Sequence, residues 1–262
     1  MPLSPQKSVP SLRERHDNHV RAGYQTARAT KPTGWLNRYF YFFMSLLIAV
    51  TIIYGFSHTI DQNLIHAKPA RPWILALHAA VFSSWVVFLI LQSALIRTRN
   101  VHLHRKVGWF GVALGVVIPV LGISTAIGMD RFRIFQLNDQ TAAPFLIVQF
   151  CDITCFTVAF ILAIYWRKKP EFHRRLILVA SCALTAAAFG RFPEYLLPYP
   201  WFYAGVDLLI FLGVVRDLIV TRRVHAVYRY ALPAMILAQT FAIHLLITNS
   251  PSWVKIANRI LR

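Results

Sequence analysis

The chain predicts an all-α fold, a polytopic membrane helical bundle with seven transmembrane helices, and three observations carry that prediction. Hydrophobic residues fill 56% of the 262 positions, and the mean hydropathy is +0.50. They arrive in blocks of roughly twenty, the length that crosses ~30 Å of hydrocarbon at 1.5 Å per residue. The cations stand apart from those blocks and gather in the connections between them.

Residues 1–34 open the chain with Lys7, Arg13, Arg15, Arg21, Arg28 and Lys31 and too little apolar surface to bury a core, so they read as a disordered basic tail. The first span, 36–57, follows that tail and is long enough to remain as an anchor, so no cleavable signal is expected. Spans at 73–96 and 107–128 come next. The third carries Gly108, Gly111, Gly115 and Gly122. A glycine stripe lets another helix approach closely, and Ser181, Thr185 and the run Ala186 to Ala188 offer a matching small surface, which predicts packing between the third and fifth spans. The remaining spans lie at 144–166, 175–191, 201–220 and 230–249. Residues 35–250 thus form one transmembrane domain, and 251–262 are left as a short basic tail.

Under this topology twenty of the 28 Lys and Arg, those of the tail and of three alternate connections, share one side. The positive-inside bias then sets the N-terminus in the cytoplasm and the C-terminus outside, in a bacterial inner membrane. The formal charge of +18 is a topology signal, and with no folded basic domain to present it, a nucleic-acid partner is excluded; the partner it does imply is the lipid bilayer. Cys151, Cys155 and Cys182 all fall within spans and are odd in number, which argues against a disulfide framework. Two basic connections also end alike, HLHRKV before the third span and EFHRRL before the fifth, as if one hairpin had been reused.

Ionisable groups inside hydrocarbon persist where the bundle gives them a partner or a use, at a cost of at least ~2.5 kcal/mol each. Counted at ~1.5 Å per residue, His78, Asp152, Asp207 and His244 lie roughly 7–12 Å below the outer surface on four different spans. Gln92 lies deeper on the His78 face of its helix, and Arg191, Glu194 and His58 cap the outer end. These residues can pair to fix helix register, hold a divalent metal, relay protons or orient a redox cofactor. A second layer at the inner surface holds His102, His104, His173 and His225 with Arg216 and Asp217. His104 and His173 each open a helix and are each followed by two cations. A haem b takes two axial imidazoles on facing helices at one depth, with basic groups near its propionates, and this pair offers both.

The succession His78, Gln92, LHRKVG at 103–108, FHRRLILVA at 172–180 and Arg191 resembles a group of bacterial multi-pass membrane proteins without an assigned role. It is also distantly similar to the transmembrane b-type cytochromes, over roughly residues 70–225. The resemblance implies one histidine pair per leaflet, His104 with His173 and His78 with His244 or His58. It departs from those bundles in placing His104 and His173 at helix mouths. The first expectation is therefore an inner-membrane protein that binds haem b and passes electrons between a quinol or soluble donor and an acceptor. A second is a zinc-dependent membrane hydrolase with His78, Asp152, Asp207 and His244 as ligands and a bound water as nucleophile. The third is a carrier or a subunit of a membrane complex in which the aspartates bind protons or a cationic solute.

Overall fold

Helices follow one another along the whole of the computed structural model, which describes residues 33–262. They are α1 (Thr33–Ser57), α2 (Trp73–Arg97), α3 (Val101–Leu137), α4 (Ala142–Tyr165), α5 (Pro170–Ala183), α6 (Ala186–Phe189), α7 (Phe202–Thr221), α8 (Ala226–Ile247) and α9 (Pro251–Ile260). A short π-helical turn, Asp61–Ile65, lies in the connection from α1 to α2. No strand occurs among the described residues. The expectation for the tail falls, up to residue 32, outside the described residues.

Six helical segments are long and apolar enough to cross a membrane: α1, α2, α3, α4, α5 continued through α6, and α8. The segment α7 is also 20 residues long, but Asp207, Arg216 and Asp217 set it apart from those six. Large apolar side chains point outward around the bundle, among them Val50, Val87, Val120 and Leu237, the last 72% exposed. A continuous apolar exterior of this kind is at home in lipid and unfavourable in water.

Connections of three or four residues join α2 to α3, α3 to α4, α4 to α5 and α7 to α8, so these neighbours pack antiparallel. The turns at 98–100, 166–169 and 222–225 share one end of the bundle, called here the basic end. Local chemistry sets the helix limits. The Asn100 side chain accepts the Leu103 N–H at 3.3 Å to start α3, and Pro170 occupies the first turn of α5. Asn138, at φ 53°, and Arg222, at φ 56°, take the left-handed conformation that ends α3 and α7.

Helix α4 is central and packs against α3, α5, α8 and α9. Its Phe156 and Phe160 stack at 5.6 Å between centroids, and Trp85 of α2 meets Phe156 edge-on at 5.3 Å. Side chains of α2 and α4 account for three of the four glycines, Gly108 facing open space, and correct the expectation that α3 packs on α5. A Cβ at Gly115 would lie 2.1 Å from Phe160, one at Gly111 2.2 Å from Phe88, and one at Gly122 2.6 Å from Ile153. The glycines admit rings and branched chains of α2 and α4, and α3 forms no packed pair with α5.

Two more boundaries differ from expectation. Helix α3 spans 37 residues, ~55 Å, well beyond the predicted 107–128; its extension is stabilised by the polar corner described below. The predicted C-terminal tail forms helix α9, whose Ala257, together with Leu261 just after the helix, is buried against Ala126, Ala143 and Leu146. Trp253 anchors it by donating to the Pro144 carbonyl at 3.1 Å.

Candidate functional site

At the basic end, α5 and α7 each bring a charged residue into the core, and the two meet. Arg175 donates from Nε and Nη2 to both oxygens of Asp217, at 2.9 and 2.6 Å. Arg216 adds a third bond to Asp217 at 2.8 Å and another to Asn37 of α1. Arg175, Arg216 and Asp217 are all at most 1% exposed. Glu171, one turn before Arg175, accepts from it at 2.6 Å and from Arg174 at the same distance. The aromatic rings of Tyr41 and Tyr228 close the cluster, with Arg216 5.6 Å from the first and Arg175 5.9 Å from the second. Bidentate geometry suits a guanidinium here, since the planar fork matches the carboxylate.

Asp217 also accepts the His225 N–H at 3.3 Å, tying the network to the start of α8. His225 in turn caps α8 by accepting the Val227 N–H on Nδ1 at 3.2 Å. Burial, with Arg175 beside it, pushes this imidazole below its ordinary range. A neutral ring is what the cap requires, because a protonated Nδ1 cannot accept.

His104 and His173 open α3 and α5 at this same end. The Nδ1 of His173 bonds the Ala163 carbonyl at 2.9 Å, which turns Nε2 free. His104 lies beside the Gln92 backbone. Its Nδ1 is buried with no hydrogen-bond partner among the described residues, as are both amide atoms of Gln92 and Nε of Arg174. Buried polar groups are nearly always satisfied, so these atoms stand out among their neighbours.

Nearer the opposite end, the aspartates of α4 and α7 each find a neutral donor. Tyr203 donates its hydroxyl to Asp152 at 2.8 Å. The Gln239 amide, oriented from its hydrogen-bond pattern, donates to both oxygens of Asp207 at 3.0 and 3.1 Å. Cys151 and Cys155 flank Asp152 on the same helix. The histidines expected beside them have other surroundings. His78 stacks on Phe82 at 3.9 Å and lies near Arg191, while His244 is exposed on α8, which does not pack on α2. His58 is exposed and bonds the Tyr54 carbonyl at 2.8 Å, and Arg191 covers Phe56 at 4.4 Å. The four-residue zinc set is therefore not assembled, and no group of three or more His, Cys, Asp or Glu is placed to hold a metal among the described residues.

One polar corner escaped the sequence reading. Asp130, wholly buried near the end of α3, accepts from Arg133 at 3.3 Å and from Gln149 of α4 at 3.5 Å. Arg133 reaches on to Asp139 at 2.6 Å, and Asp139 also takes the hydroxyl and the N–H of Thr141. The Thr141 hydroxyl and the Arg133 guanidinium hold the Asp139 carboxyl below the usual carboxylate range. The i,i+3 spacing of Asp130 and Arg133 was the available signal, since that spacing brings the pair together only if α3 continues past its apolar stretch.

Apolar helices around a buried ionic core make this chain a multi-pass helical membrane protein. Comparison with known proteins finds no matching family model, curated protein or solved structure.

Proposed function

We propose that the protein crosses the bacterial inner membrane seven times, with α7 as the seventh span and the N-terminus in the cytoplasm, and that it holds haem b between His104 and His173. The observation that carries this reading is the His173 imidazole, whose Nδ1 is fixed on the Ala163 carbonyl and whose Nε2 is left free, at the same end of the bundle as His104. Ligating histidines are commonly fixed in this way by a hydrogen bond from the second ring nitrogen. The residues present fit the group: a buried imidazole nitrogen and the Arg174 Nε lack partners among the described residues, and a propionate takes such a donor. A bound haem b supplies a one-electron couple, so the activity is electron transfer from a quinol or soluble donor to an acceptor. This chain's own part is to orient the two imidazoles and to keep the basic groups beside them. Dithionite-reduced minus oxidised spectra of detergent-purified protein, expressed with ample haem, test the reading. Haem bands lost in His173→Ala and in His104→Ala are expected; their absence from the wild type overturns it.

A second reading, a carrier that binds protons or a cationic solute, is favoured by the neutral partners of Asp152 and Asp207. A carboxylate held by a hydroxyl or an amide can exchange a proton without breaking an ion pair. Proteoliposomes loaded with a pH-sensitive dye test it: proton flux abolished by Asp207→Asn is expected, and no flux in the wild type rules it out.

A further inference from the structure

At the end of the bundle opposite the basic turns, α9 lies beside the start of α4 and leaves between them a groove of about 760 Å³. Its lining includes Lys255, Arg259, Arg262, Gln140, Asn249 and Asn258, and no carboxylate side chain. The nearest acid in sequence, Asp139, is taken up by Arg133 and Thr141 and does not neutralise it. The opposite face of α9 is pinned to the bundle by Trp253 and the buried Ala257 and Leu261, and Arg131 bonds the Ile260 carbonyl at 3.2 Å. The cations are therefore displayed from a fixed element.

Apolar surface adjoins the charge. Ile247 and Ile256, close in sequence to lining residues Asn249 and Lys255, are 58% and 48% exposed. The groove also meets the first turn of α4 at Ala143 and Pro144.

We propose that this groove binds the headgroup of an anionic phospholipid, with Lys255 and Arg259 taking the phosphate and the flanking apolar residues meeting the acyl chains. An amphipathic helix with cations on its polar face, docked at the ends of spanning helices, suits a lipid in a way that it does not suit a free ion. The inference is independent of haem, since none of its residues lies near His104 or His173.

The test uses the full chain in neutral detergent. Dioleoylphosphatidylglycerol or dioleoylphosphatidylcholine is titrated in, with bound lipid counted by native mass spectrometry. Preferential retention of phosphatidylglycerol is expected. A cation at an anionic lipid surface is worth roughly five-fold in binding. The double variant Lys255→Gln with Arg259→Gln should then lose roughly thirty-fold, while Lys168→Gln with Lys169→Gln at the basic end stays within about two-fold of wild type. Both residues replaced on α9 are exposed, so the variant keeps its melting temperature in detergent alone. Equal retention of phosphatidylglycerol by the α9 variant overturns the proposal. So does competition by millimolar inorganic phosphate, which would mark a site for the free ion.

Discussion

Replacing Asp217 by Asn removes the one carboxylate that Arg175 and Arg216 share. The wild-type carboxylate is fully buried and accepts three guanidinium bonds at 2.6 to 2.9 Å. Breaking a buried ion pair by removing one partner costs about 3–5 kcal/mol, because the charge left behind cannot be resolvated. Asn retains one acceptor oxygen, and Glu171 stays on Arg175 at 2.6 Å, so the lower figure, about 3 kcal/mol, applies. For a chain of this size that corresponds to a fall in Tm of roughly 6–12 °C. Far-UV circular dichroism melts in detergent read it directly. Arg175→Met should fall by a similar amount, and the double variant by clearly less than the sum, with a coupling above ~1 kcal/mol. A single variant within ~1 kcal/mol of wild type, or strictly additive losses, would refute the view that these groups form one buried unit.

Three further outcomes follow from the geometry. A Cβ at Gly55 would lie 2.3 Å from the Ala188 carbonyl oxygen, whereas at Gly115 the obstacle is the Phe160 ring. Gly55→Ala should therefore cost more than Gly115→Ala, at the upper end of the ~1–3 kcal/mol of overpacking, because backbone cannot turn aside; equal melts would contradict this. Asp139 titrates below its unfolded value, so it contributes stability above ~pH 4 and loses it as pH falls through the folded value. Melts of wild type and Asp139→Asn should differ by a constant amount from pH 7 to 5 and converge below ~4; a gap that widens in acid would reverse the assignment. Tyr203 is the donor that holds Asp152, so Tyr203→Phe and Asp152→Asn should couple by more than ~0.5 kcal/mol, and simple additivity would show that the hydroxyl and the carboxylate do not act as a pair.

The helical order was legible in the sequence because lipid imposes a length and a polarity that repeat along the chain. Spans at 73–96, 144–166 and 201–220 differ from α2, α4 and α7 by no more than two residues at either end. Missed boundaries lie where a polar partner extends a helix past its apolar stretch. Asp130 shows this: hydropathy stops short of it, and only Gln149 on the next helix and Arg133 make its burial possible. The Asp217 contact with Arg175 was similarly hidden, since a separation of 42 residues carries no local signal, although both residues were visible as cations and acids near a helix mouth. Depth along a helix can be counted, but the direction a side chain faces cannot. For that reason His78, Asp152, Asp207 and His244 looked coplanar, while the bundle turns His78 towards Phe82 and leaves His244 exposed.

The same separation of 42 residues has a meaning for biogenesis. A ribosome feeding this chain into the membrane delivers Arg175 well before Asp217 has been synthesised. During that interval a guanidinium destined for the core needs a counter-ion close at hand, and Glu171, four positions earlier on the same helix, is already there. Once the bundle has closed, Glu171 keeps its bond to Arg175 while remaining 55% exposed, so the buried guanidinium is neutralised from the surface as well as from the core.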